Sequence, residues 1–307
     1  MRFEERRFAP SGNIVVIIPT RNRGALLRNV LEMIRNNHLL PICTIVVDSS
    51  DIFEDISHDF VDLGLKHIYS PIKSAAIQRN VGIQKALEIV TNFDFVSFLD
   101  DDIEINPNYF EKVSVRLSRN PDFIGISGIA MSNKNSVRKE NCLTSFIGLT
   151  GRPGSLTRAV INISPSGLEK FEEVDWLIGC SVWRKEVIDF FQFEPDFEGQ
   201  SLFEDVIFSY RARVLGKIGC DPRIELKHLF SSQERPGTKD HYTAWVVNRF
   251  RIFKYTSGEF SKMAFWFLNV ILLIVSLAES IYSKEDRLKS KGLIIGFFRI
   301  MFPGRSS

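Results

Sequence analysis

The sequence predicts an α/β fold with a mainly parallel central sheet flanked by helices and a C-terminal helical extension. From Asn13 to about Ile129, short β-branched runs alternate with amphipathic stretches, the rhythm of strand–helix–strand units. Two of these runs lead directly into acidic clusters, Asp48-Ser49-Ser50-Asp51 and Asp100-Asp101-Asp102. Polar groups at the carboxyl ends of parallel strands are where open α/β sheets bind ligands. Residues 1–235 are therefore expected to form the catalytic domain, and 236–307 a helical region.

The elements follow in order. Ile14 to Ile18 is the first strand, closed by Pro19. Leu26, Leu27, Val30, Leu31 and Ile34 recur at helical spacing, so residues 24–37 form a helix laid on the sheet. Ile42 to Val47 is the second strand and His67 to Tyr69 a short third one. A helix over 74–90 leads to an aromatic-rich strand from Phe93 to Leu99, and Phe123 to Ile129 is a further strand. Residues 130–172, rich in Ser, Asn, Gly and Arg, read as a long excursion beside the site. An apolar stretch from Val174 to Val182, a helix opening near Glu204 and a strand pair over Lys217 to His228 complete this part.

Composition narrows the function. The 307 residues, 44% hydrophobic, are enough for a sizeable core. A net charge of +2, from 39 basic and 37 acidic residues, gives no long-range attraction for nucleic acid. Cys43, Cys142, Cys180 and Cys220 form no C-x-x-C pair, so neither a zinc ribbon nor a disulfide framework is signalled, and a reducing compartment fits. Met1 to Arg7 shows no stretch of signal-peptide character.

The chemistry concentrates at Asp100-Asp101-Asp102. Carboxylates about 6 Å apart repel by roughly 3 kcal/mol at an effective dielectric of 20, so three at one strand end make sense around a cation. Alternate residues of an extended chain face the same way, which aims Asp100 and Asp102 at one ion. Oxygen ligands that leave positions open for phosphate suit Mg²⁺ or Mn²⁺. Solvated turn aspartates are the alternative, and Asp101 replaces either neighbour if the register shifts by one.

The motifs, taken in order, resemble those of the inverting family 2 glycosyltransferases, which have the GT-A fold and include rhamnosyltransferase-like and cell-surface polysaccharide types. The strand ending in Pro19-Thr20-Arg21-Asn22-Arg23 is similar to the family's nucleotide loop, and Val46-Val47-Asp48-Ser49-Ser50 to its base and ribose segment. Arg79-Asn80-x-Gly82 matches a third signature, Asp100-Asp101-Asp102 the D-x-D metal motif, Trp176-x-x-Gly179 the acceptor-side segment, and Phe203-Glu204-Asp205 the E-D motif. The resemblance implies a nucleotide-sugar donor, a glycan or lipid-linked acceptor, and a cation held by Asp100 and Asp102 against the leaving diphosphate. It makes Asp205 the base that takes the acceptor proton, with Glu204 next to it.

Other roles carry alternatives. Pro19, Thr20 and Arg21 belong to the nucleotide loop, and Thr20 and Asp48 serve either the nucleoside or ordinary turn chemistry. Arg79 either pairs with the diphosphate or lies on a helix surface. His228 is a further metal ligand or a structural histidine, and Trp176 an acceptor platform or a core residue. The dipole of the helix opening at Glu204-Asp205 is expected to lower the Asp205 pKa. Sugar-nucleotide synthesis on a related fold calls for a glycine-rich loop after the first strand, and only Gly24 is present. A non-catalytic carbohydrate or metal-binding module is the third class.

Sixteen uncharged residues, Met263 to Ala278, span about 24 Å as a helix, short of a hydrocarbon core of about 30 Å. With Leu293 to Phe302 and the intervening Lys284, Arg287, Lys289 and Lys291, they suit in-plane contact with an anionic leaflet. The expected place is cytoplasmic, peripheral at the inner face of the plasma membrane. A helical hairpin covering the domain, or an oligomer interface, is the alternative.

Overall fold

The protein is described by a computed structural model over residues 13–131, 150–197, 202–229 and 237–302. The middle of the expected excursion, 132–149, lies outside these residues, as does Cys142. Among the described residues, nine strands form one mixed sheet in the order β3-β2-β1-β4-β8-β6-β9-β5, with β7 also on β9. They are β1 (Ile14–Thr20), β2 (Cys43–Asp48), β3 (Lys66–Tyr69), β4 (Phe95–Phe98), β5 (Ile103–Ile105), β6 (Phe123–Met131), β7 (Glu172–Glu173), β8 (Ser181–Arg184) and β9 (Lys217–His228). Helices α1 (Gly24–Arg35), α2 (Ala75–Ile89), α3 (Tyr109–Arg119), α4 (Lys185–Phe190) and α5 (Glu204–Ala212) belong to this body, and α6 (Thr238–Arg251), α7 (Lys262–Glu279) and α8 (Lys284–Met301) follow.

The first half is parallel: β1 pairs with β2 and β4, and β2 with β3. Every residue of β1, β2 and β4 is buried, as a sheet covered on both faces requires. Leu27, Val30, Leu31 and Ile34 of α1 pack on one face with Ile14, Val16 and Ile18, while Val15 and Ile17 face a second cluster with Ile83 and Phe208. Ile252 and Phe265, from beyond residue 235, enter that second cluster, so the C-terminal helices share the core of the sheet.

Two expectations are corrected. β1 does not close at Pro19 but runs on to Thr20, with Pro19 opposite Val47. Odd residues of β1 turn their backbone toward β4, and that pairing ends at Ile17 and Phe98, so the missing proline N–H leaves no gap in a ladder. Lys217–His228 is one strand, not two. Its register on β6 slips between Ser127–Cys220 and Ile129–Glu225, a bulge around Pro222 that bends the strand without ending it. Gly128 permits the close approach there, since a Cβ would lie 1.8 Å from the Ile224 carbonyl oxygen. Of the stretch Val174 to Val182, only Ser181 and Val182 enter a strand. β8 is inserted antiparallel between β4 and β6.

The bulge matters for the site. Beyond it, β9 pairs with β5, and His228 comes opposite Ile103, immediately after the aspartate triplet.

Candidate active site

The carboxyl ends of β1 and β4, the start of α2, the segment before β8, the first turn of α5 and the end of β9 converge on a cleft of about 360 Å³. That is within the range of small-molecule sites. Pro19, Thr20, Arg21, Arg79, Asp100, Asp101, Asp102, Gly179, Glu204, Asp205 and His228 all line it, so most of the predicted site residues are brought together.

The aspartates divide their tasks. Asp100, Asp102 and His228 each offer a ligand atom within 4.8 Å of the others, and His228 Nε2 is 3.4 Å from Asp102 Oδ1. Two carboxylates and an imidazole fit a divalent cation with positions left for phosphate oxygens. Asp101 points the other way. It accepts from Thr20 Oγ1 at 2.7 Å and from Arg23 Nη1 at 2.9 Å. Burial pushes its pKa up to about 6, against the opposing pull of Thr20 and Arg23.

α2 ties the site together through buried polar side chains. Gln78 Nε2 donates to the carbonyls of Thr20 and Val47, both at 2.7 Å, crosslinking the ends of β1 and β2. Arg79 donates to Asp100 at 2.7 Å and to Glu204, and is only 3% exposed, so it is not the surface residue of the alternative reading. Asn80 exchanges two hydrogen bonds of 2.8 Å with the backbone of Phe193. Gly82 lets the helix lie against β1, since a Cβ there would be 2.4 Å from Ile17 Cγ2. The Arg-Asn-x-Gly signature is thus a row of anchors on one helix.

The α5 end differs from expectation. Asp205 is partly buried in the first turn, and burial pushes its pKa up to about 6, with the Val206 N–H and Arg79 opposing. Desolvation therefore outweighs the helix dipole, and the expected lowering of the Asp205 pKa is corrected. Glu204 is buried and spends one oxygen on Arg79.

Two predicted contacts do not reach the cleft. Asp48 turns inward, accepting from the Ser50 N–H at 2.7 Å and lying 3.4 Å from His67 Nε2. Burial works against its ionisation, but the neighbouring His67 ring and the hydrogen bonds from Ser50 outweigh this and hold it below the usual carboxylate range. Its neighbour Ser49 lines the cleft instead. Trp176 is 7% exposed, and its Nε1 donates to the Ile163 carbonyl at 3.2 Å. It packs in the core, as its alternative reading had it.

Sequence reasoning missed Arg23 and Gln78 as site residues. Arg23 reaches Asp101 and, at 3.5 Å, Asp102, placing a cation beside the carboxylates. Its position in the nucleotide loop was the available signal. For Gln78 the signal was a run of polar residues on a helix that the sheet had to bury.

Residues 15–164, somewhat less than half of the chain, match the family described as Glycosyl transferase family 2. No curated protein matches the chain. Among solved structures, the chain is similar to the mannosyltransferase PcManGT from Pyrobaculum calidifontis, in complex with GDP-Man and Mn²⁺, at 13% identity and a TM-score of 0.58, covering 96% of this chain and 89% of that one. It is similar to S. aureus TarS 1–349 at 15% identity and a TM-score of 0.50, covering 80% of this chain. It is also similar to GalNAc-T7 with UDP, GalNAc and Mn²⁺ at 12% identity and a TM-score of 0.55, covering 79% of this chain. The chain spans 66% of TarS 1–349 and 48% of GalNAc-T7. At these identities the likeness is one of fold. Residues 15–164 thus resemble the glycosyl transferase family 2 model, and the chain has the GT-A fold.

Proposed function

We propose that the protein is a metal-dependent, inverting glycosyltransferase that moves a sugar from a nucleotide-diphosphate donor to a hydroxyl of a glycan or lipid-linked acceptor. The observation that carries this is the grouping of Asp100, Asp102 and His228 in one cleft with Asp205. One set fits a cation and the other residue a base. Asp100, Asp102 and His228 would hold Mg²⁺ or Mn²⁺, which when bound offsets the charge of the leaving diphosphate. Asp205 accepts the proton of the acceptor hydroxyl as its oxygen attacks the anomeric carbon from the face opposite the departing diphosphate. Arg79 holds Asp100 and Glu204 in place from below. Arg23 keeps Asp101 paired and adds positive charge where phosphates would lie. The complexes of the structural neighbours with GDP-Man, or with UDP and GalNAc, are consistent with such a donor.

The same reading includes contact with a membrane. α7 is long and apolar enough to cross one by length and composition, yet Phe265, Leu268, Asn269 and Ser276 are buried against the protein. Met263, Phe267, Val270, Ile274 and Leu277 form an exposed stripe at spacings of three and four. With exposed Lys262, Lys284, Arg287 and Lys291 nearby, this supports a helix lying in the plane of an anionic, cytoplasmic leaflet.

Release of nucleoside diphosphate from a panel of nucleotide sugars, with and without Mn²⁺, tests the function. Metal-dependent release from one donor is expected. No release from any donor, with metal and acceptor extracts present, would overturn it.

A further inference from the structure

Helix α6 holds two stretches of strained backbone, one of them directly before the Glu204-Asp205 turn. Phe203, directly before Glu204, has φ 79°, and Val160 has φ 61°. Left-handed backbone is unfavourable for an aromatic residue and more so for a β-branched one, and it persists only where the surroundings hold it. α6 supplies the hold at both places. Asn248 Nδ2 donates to the Leu202 carbonyl at 2.8 Å, one residue before Phe203. Arg249 Nε donates to the Val160 carbonyl and Nη2 to that of Ala159, both at 2.7 Å.

These side chains are committed to the task. Asn248 is 6% exposed and Arg249 0%. The guanidinium lies 4.1 Å from the Trp245 ring centroid and 5.0 Å from that of Phe265, which fixes its plane. Both anchored segments lead to α5. The hairpin around Val160 accepts Trp176 Nε1 at Ile163, and Leu177 in turn donates to Ser209 of α5 at 3.0 Å. α8 presses α6 into place through two glycines, where a Cβ would lie 2.3 Å from the Lys239 carbonyl oxygen (Gly292) or 2.8 Å from Val246 Cβ (Gly296).

We propose that Asn248 and Arg249 are positioning residues for the reaction: they set the orientation of the Glu204-Asp205 turn, making the C-terminal helices part of the catalytic geometry. This rests on the reading of Asp205 as the base. The donor and metal side chains come from β1, α2, β4 and β9, which α6 does not hold by these bonds, so donor binding and transfer should separate.

The test uses the full chain with Mn²⁺ and the donor found active in the panel. Donor Kd and binding stoichiometry are measured by calorimetry, and transfer is expressed as kcat per donor-binding site. For Asn248→Ala, donor Kd is expected to stay within about twofold while kcat falls by between tenfold and about 10²-fold, the scale for a catalytic group displaced by a remote change. A merely structural role would lower the number of binding sites and leave kcat per site at the parental value. That result would overturn the proposal. Arg249→Lys keeps the charge but cannot bond two carbonyls with a planar fork, and it is expected to show the same separation if Asn248→Ala fails to fold. If the parent binds no donor with Mn²⁺, the functional reading itself fails. If Asp205→Asn is inactive while both α6 variants transfer normally, only the positioning inference fails.

Discussion

Asp205→Asn separates chemistry from architecture at the α5 turn. With its pKa near 6, the Asp205 carboxyl is about nine-tenths ionised at pH 7 and about one-tenth at pH 5, so transfer should fall tenfold per pH unit below about 6. The free-enzyme profile of kcat/KM reports this limb most directly. Asparagine keeps the size and the capping ability but takes no proton, so the limb should vanish and transfer should drop at least about 10²-fold, near 2.7 kcal/mol of barrier. Stability should move the other way. A carboxyl whose folded pKa lies above its unfolded value weakens the fold progressively as pH rises from 3.8 to about 6, and fully above that. This interval is equivalent to at most about 3 kcal/mol, less for a partly exposed group. At pH 8 Asp205→Asn should therefore melt no lower than the parent, and at pH 4 the two should converge. Acceptor titrations at saturating donor, across pH 4.5 to 8.5, provide the assay. Near-parental transfer, or an unchanged acidic limb in the variant, would refute the reasoning and leave Glu204 as the next candidate.

Asp102→Ala should abolish metal-dependent donor binding while leaving the fold intact, and calorimetry with Mn²⁺ reads this directly. Arg79→Met leaves Glu204 buried without its counterion, a change of about 3–5 kcal/mol for a broken buried pair, so its urea midpoint should drop sharply. Phe267→Glu with Ile274→Glu should cut flotation with anionic liposomes while transfer to a soluble acceptor stays near the parental rate. Unchanged flotation would make the stripe a contact for another protein surface.

Local pattern explains what could be read in advance. β1 and α1 were legible because an unbroken β-branched run and a 3.6-residue apolar period each report on a single element. The aspartate triplet was legible because three adjacent carboxylates after an apolar strand have a chemical cost that needs a reason. What escaped depends on partners distant in the chain. Arg79 looks like any early-helix arginine until Asp100 and Glu204 close on it, and Asp48 looks like a ligand contact until His67 comes to lie beside it. The dipole argument for Asp205 failed for the same reason, since desolvation is set by whatever packs around the turn. Asn248 and Arg249 showed no signal, because a buried guanidinium facing two carbonyls is defined by those carbonyls and not by its own helix.

The insertion of β8 between β4 and β6 bears on how the chain comes off the ribosome. Until Ser181–Arg184 is made, β4 is an open edge, carrying Phe95, Val96 and Phe98 with half of its ladder unpaired. β6 has no bridge to it. Such edges template association between chains. A nascent chain that ends before β8 has the three parallel pairings among β1, β2, β3 and β4 but no means of closing the sheet, and protection from neighbouring chains begins only when the antiparallel strand zips the two halves together.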